Sequence, residues 1–140
     1  MIFYALRDVG YEIRAELIWA KSRPGFNFAN YKHQHEPIYY ACHQGVNFCG
    51  DKSQTTLWEV ASESGAVYKH PTQKPVDLII RALVNHSASH ILDIFGGSGS
   101  TLIACEKLDR RCFMMEIDEY YCDVSIQRWQ NFTGKQAIKL

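Results

Sequence analysis

The run Asp93-Ile94-Phe95-Gly96-Gly97-Ser98-Gly99-Ser100-Thr101 constrains this chain more than any other stretch. Apolar residues flank it, Ile91-Leu92 before and Leu102-Ile103-Ala104-Cys105 after, which predicts a tight turn from a buried strand into a helix. Glycine has no Cβ and tolerates positive φ, so the backbone of such a turn can approach a ligand closely. The N–H groups at the helix start then face whatever lies in the turn.

The segments around this turn have a consistent order. Pro75 suits the first turn of a helix, and Val76, Ile79, Ile80, Leu83 and Val84 repeat at helical spacing, which predicts a helix over 75–86. A strand over His90 to Ile94 leads into the glycine turn, and a helix over Thr101 to Leu108 leaves it. The nearly unbroken apolar run Cys112-Phe113-Met114-Met115-Glu116-Ile117 predicts a parallel strand covered on both faces. Asp118 can then cap a last helix over Tyr120 to Phe132, with Cys122, Ile126 and Trp129 on its inner face. This βαβα order implies an open α/β sheet with its ligand at the carboxyl ends of the strands.

Upstream the pattern is weaker. A short helix over Phe3 to Val9 should stop at Gly10, and Leu17 to Ala20 and Ile38 to Cys42 are strand candidates separated by the turn former Ser22-Arg23-Pro24-Gly25. Between Gln44 and Lys69 apolar periodicity disappears, so 44–69 is expected to be a long loop or a linker. Trp19, Tyr31, His33 and His35 form an aromatic, histidine-rich patch whose simplest role is packing.

Composition bounds the class. With 140 residues, 46% hydrophobic and 21% charged, one soluble globular domain is expected, in which Lys107, Arg110 and Arg111 mark a solvated helix end. No apolar run approaches the roughly 20 residues of a membrane span, and the start at Met1-Ile2-Phe3-Tyr4 is unlike a signal peptide. Five cysteines, an odd number with no CxxC pair, fit reduced thiols in a cytoplasmic protein. Cys42, His43 and Cys49 match no standard zinc spacing, so no metal site is expected. Fifteen basic and fifteen acidic residues cancel, so charge alone does not point to nucleic acid.

Spacing sorts the ligands that a glycine turn can hold. A phosphate-binding P-loop needs Gly-Lys-Ser/Thr, and no lysine follows Gly99. A dinucleotide fold asks for GxGxxG, but counting from Gly97 puts Leu102 where the third glycine belongs, so NAD is a weaker alternative. S-adenosyl-L-methionine has no phosphate to cradle and needs an acidic side chain at the end of the next strand for its ribose hydroxyls. Glu116 lies there, with Ile117 beside it for the adenine ring; its plain alternative is a polar strand terminus.

Three ordered motifs carry a family resemblance: His70-Pro71-Thr72-Gln73-Lys74-Pro75, then Leu92 through Thr101, then Met115-Glu116-Ile117-Asp118 with Tyr121-Cys122. From His70 to Ala137 the chain resembles the carboxyl-terminal half of the N4-cytosine/N6-adenine DNA methyltransferases, in the permuted group whose catalytic motif precedes the cofactor motif. Upstream, Leu17 to Lys21 and His35-Glu36-Pro37-Ile38 are similar to segments that follow that catalytic motif. The resemblance implies a Rossmann-like methyltransferase fold with an incomplete central sheet, in which 1–140 is a single partial domain: strands in 1–43, the loop 44–69 and a cofactor-binding half in 70–140. It implies that Asp93, Phe95, Gly96, Gly97, Ser98 and Gly99 line the methionine part of S-adenosyl-L-methionine, that Thr72, Lys74 and Pro75 close over the same end, and that Glu116 holds the ribose beside Ile117.

Methylating an exocyclic amine requires a flipped base held against an aromatic face, with acceptors for the amino hydrogens. The family does this with Asp, Asn or Ser before Pro-Pro-aromatic. Here Pro24, Pro37, Pro71 and Pro75 are followed by Gly, Ile, Thr and Val, so no Pro-Pro pair exists, and no Pro-Cys pair for cytosine C5 chemistry exists either. The resemblance therefore implies a fragment of an enzyme acting on DNA, without catalytic residues of its own, whose sheet a second protein chain completes. The alternative is a non-catalytic cofactor-binding or assembly module that docks on a partner chain or on DNA.

Overall fold

The computed structural model describes residues 2–25, 28–43, 48–61 and 73–139. The 140 residues, expected to form one partial domain, cluster into two compact units, Met1–Ser62 and Glu63–Leu140.

The first unit begins with α1 (Ile2–Asp8). Gly10, at φ 86°, ends it: its N–H donates to the Arg7 carbonyl, and the Tyr11 N–H donates to the Leu6 carbonyl. Strand β1 (Glu12–Ala20) then pairs antiparallel with β2 (His35–Cys42), with an irregularity between Ile13 and Ala15. The third strand, β3 (Leu57–Glu59), pairs parallel with β1, in the order β2-β1-β3. This strand lies inside the stretch expected to be loop. At three residues it is too short to show a period, and tertiary pairing places it: Trp58 sits opposite Trp19. Both indoles are buried, their N–H groups donating to the carbonyls of Thr55 and Val60 respectively. The packing expected of the aromatic patch holds for Trp19 alone, because Tyr31, His33 and His35 are exposed.

The second unit contains α2 (Val76–Leu83), β4 (His90–Asp93), α3 (Ser100–Lys107), β5 (Arg111–Met114) and α4 (Glu119–Thr133). Strands β4 and β5 pair in parallel, Leu92 opposite Phe113 and Asp93 opposite Met114. Val76, Ile103 and Ala104 form the core, with Ile79, Ile80, Leu83 and Trp129 packed around them. The helix at Pro75 stops short of the expected His86, at Leu83. Arg110 supplies the reason: its guanidinium donates to the carbonyls of Leu83 at 2.8 Å and His86 at 2.9 Å, closing the carboxyl end of α2. Arg110 is thus a capping group, not part of a solvated helix end.

Two further expectations fail here. Strand β5 is not covered on both faces: Leu92 and Phe113 alternate outward and are 67% and 54% exposed, while Ile91 and Cys112 face inward. In α4, Ile126 is exposed, and the tight inward position belongs to Ser125, because the glycine turn approaches too closely for a larger residue. Asp118 does cap α4, accepting from the Tyr120 N–H at 2.9 Å.

Candidate functional site

The turn between β4 and α3 is built by mutual bonding of its neighbours. Asp93 closes its start, one carboxylate oxygen accepting from the Phe95 N–H at 3.0 Å. The Gly96 N–H donates to the Met115 carbonyl at 2.9 Å, and the Met115 N–H to the Asp93 carbonyl at 2.8 Å, so the turn continues the β4–β5 pairing. A Cβ at Gly96 would lie 2.3 Å from Met114 Cγ, so any larger residue here would force the Met114 side chain of β5 to shift. Gly99, at φ 78°, is the N-cap of α3 and passes so near α4 that a Cβ would lie 2.9 Å from Ser125 Cβ.

Glu116 binds this turn from the far side. Its Oε2 accepts from the Gly97 N–H at 2.7 Å, while Oε1 accepts from the N–H groups of Ile117 and Asp118 at 2.9 and 3.0 Å. An acidic side chain after β5 and a glycine turn after β4 thus meet in one place. Together with the segment leading into α2 they enclose a pocket of about 490 Å3 lined by Gln73, Lys74, Ile79, Asp93, Phe95, Gly96, Gly97, Ser98, Ser100, Thr101 and Glu116. That volume suits a small-molecule ligand. One ammonium and two carboxylates on its wall suit a molecule carrying both signs of charge and hydroxyl groups.

Seven of the residues anticipated from sequence line the pocket: Lys74, Asp93, Phe95, Gly96, Gly97, Ser98 and Glu116. Three do not. Pro75 is the buried N-cap of α2, Gly99 packs on α4, and Ile117 is fully exposed, covering nothing. Thr72 lies outside the described residues. Gln73, Ile79, Ser100 and Thr101 line the pocket without having been singled out. Gln73, Ser100 and Thr101 stand within the quoted motifs, and Ile79 lies on the apolar face of α2. The thiols of Cys105 and Cys112 are unsuited to nucleophilic work, since burial above all pushes Cys105 up and Cys112 up to about 12.

A family model described as DNA methylase matches residues 1–127. The chain belongs to the DNA methylase family. Among curated relatives of this methylase chain, the type II methyltransferase M2.MboI of Moraxella bovis is 31% identical over 146 residues, covering 91% of this chain and 54% of its own length. M.Cfr9I of Citrobacter freundii is 26% identical over 145 residues, covering 91% and 47%. The chain therefore spans about half the length of the curated relatives it matches. Of solved structures, the M1.HpyAVI–SAM complex superposes with a TM-score of 0.76 at 26% identity, covering 91% of this chain and 68% of that one. A putative DNA modification methylase from Thermus thermophilus, TTHA0409, complexed with S-adenosyl-L-methionine, gives 0.67 at 23% identity over 89% and 56%, which bears on the fold alone. Both likenesses agree with an α/β methyltransferase architecture.

Proposed function

We propose that this methylase-family chain binds S-adenosyl-L-methionine in the pocket at the glycine turn and forms the cofactor half of a DNA amino-methyltransferase acting on adenine N6 or cytosine N4. The observation that carries the reading is the meeting of Glu116 with Gly97, which brings a ribose acceptor and a glycine turn into one cavity. Glu116 would hold the ribose hydroxyls, since an ionised carboxylate only accepts and both of its oxygens can take more than one donor. Lys74 would meet the carboxylate of the methionine moiety, and Asp93 its ammonium. By the resemblance, Thr72 and Pro75 would close over that same end, and Ile117 stands exposed next to Glu116, where it would pack on the adenine ring. The cofactor supplies an electrophilic methyl group on sulfur; these residues orient it.

The acceptor side is supported differently. These 140 residues contain no Pro-Pro-aromatic motif, so methyl transfer would require that motif to come from outside them, from a second protein chain among other sources, and DNA would be the substrate of the completed site. The same deficit favours a second reading, a cofactor-binding or assembly module without catalysis. Both place the chain in the cytoplasm, the compartment of the cofactor and of bacterial DNA.

Calorimetric titration with S-adenosyl-L-methionine tests the shared part. We expect saturable binding, weakened about tenfold to a hundredfold in Glu116→Ala through loss of hydrogen bonds to a charged group. Labelled cofactor with unmethylated DNA should give no transfer by this chain alone. Absence of binding in the wild type would overturn the proposal, and robust transfer would overturn the claim that the catalytic motif must come from elsewhere.

A further inference from the structure

We infer that Arg128 is a positioning residue for the ligand pocket, holding the glycine turn and the segment leading into α2 in register from behind. The inference rests on the reading of the pocket as a site for S-adenosyl-L-methionine. Arg128 lies on α4, outside the pocket lining and one position beyond the span matched by the family model. Its Nη1 reaches the Ser98 carbonyl at 3.2 Å, Ser98 Oγ at 3.4 Å and Ser100 Oγ at 3.2 Å. Each serine hydroxyl spends its own proton on the opposite side. Ser98 Oγ donates to Gln73 Oε1 at 3.1 Å, and Ser100 Oγ donates to the Lys74 carbonyl at 2.7 Å.

A hydroxyl that both donates and accepts has its rotor fixed, and here two of them are fixed together by one cation. Ser98, Ser100 and Gln73 are all buried, so a lost donor is not replaced by solvent at little cost. The bonds run from α4 through the turn to Gln73 and Lys74, and Lys74 faces the ligand. Removing the guanidinium loosens most directly the end of the pocket where Lys74 stands, and it removes none of the three backbone bonds, from Gly97, Ile117 and Asp118, that hold Glu116.

That asymmetry supplies the test. Titrations of the full chain compare S-adenosyl-L-methionine with adenosine, which keeps the ribose and base and lacks the amino-acid moiety. Arg128→Met should weaken S-adenosyl-L-methionine about tenfold or more and leave adenosine unchanged, with Arg128→Lys between it and wild type. Equal losses for both ligands, or no loss for either, overturn the inference while leaving the cofactor reading intact. A wild type that binds neither ligand overturns both. Should Arg128→Met fail to fold by circular dichroism, Arg128→Lys decides: a selective loss of S-adenosyl-L-methionine supports the clasp, and unchanged selectivity overturns it.

Discussion

Gly96 shows how little room the turn leaves. A methyl group there would press on Met114 Cγ at 2.3 Å and Sδ at 2.4 Å, so the Met114 side chain would have to repack. Gly96→Ala should therefore cost about 1–3 kcal/mol of stability as an overpacking change, and Met114→Ala in the same chain should recover part of it. Gly97 is the internal control: a Cβ there meets nothing within 4 Å, although φ is 51°. Gly97→Ala should cost only the left-handed strain, about 1–2 kcal/mol, with no recovery from Met114→Ala. Urea denaturation of the two single and two double variants measures the difference, and equal recovery at both glycines would contradict the packing argument.

Elements were legible where the chain carries a long period or an explicit terminator. The Gly10 stop, the Asp118 cap and the apolar face of α2 all follow from local chemistry, and so does the strand–turn–helix around Gly96. Strand β3 was not legible, because three residues carry no pattern and its place is fixed by β1, far away along the chain. The site divides in the same way. Residues of the turn were readable because glycine and carboxylate are needed there, whereas Arg128 and Ser125 act through packing between α3 and α4 that no spacing reveals. Arg110 is a further case, since its role appears only when the end of α2 is brought against it. Two charge-assisted bonds to carbonyls at a helix end make Arg110→Ala cost about 1.5–3 kcal/mol. Amide hydrogen exchange should locate the loss at the carboxyl end of α2, with Arg110→Lys keeping one of the two bonds and about half the effect.

At the scale of the molecule, each unit carries its own sheet, and in the second unit burial alternates along β4 and β5, with α3 packed against β5. The outward face presents Leu92 and Phe113 opposite each other, continued by Ile94 and Met115, all more than half exposed. The Phe113 ring stacks on His90, with ring centroids 6.0 Å apart, and otherwise faces outward. A parallel sheet is ordinarily buried on both faces, which is why the unbroken apolar run of β5 predicted a covered strand. Here the run is longer than the covering layer needs. The expected consequence is a difference between faces that substitution can measure. Leu92→Thr and Phe113→Thr put β-branched residues into the strands and should each cost under about 1 kcal/mol, as surface changes do. Ile103→Thr, which puts a hydroxyl into the 4%-exposed core position beside Ala104, should cost about 3 kcal/mol or more. The paired surface variant should also bind less of a fluorescent apolar dye than the wild type, because it removes the centre of the exposed patch. Losses at Leu92 and Phe113 as large as at Ile103 would mean that in solution the face is covered, and the sheet of the second unit would then be packed on both sides as its sequence anticipates.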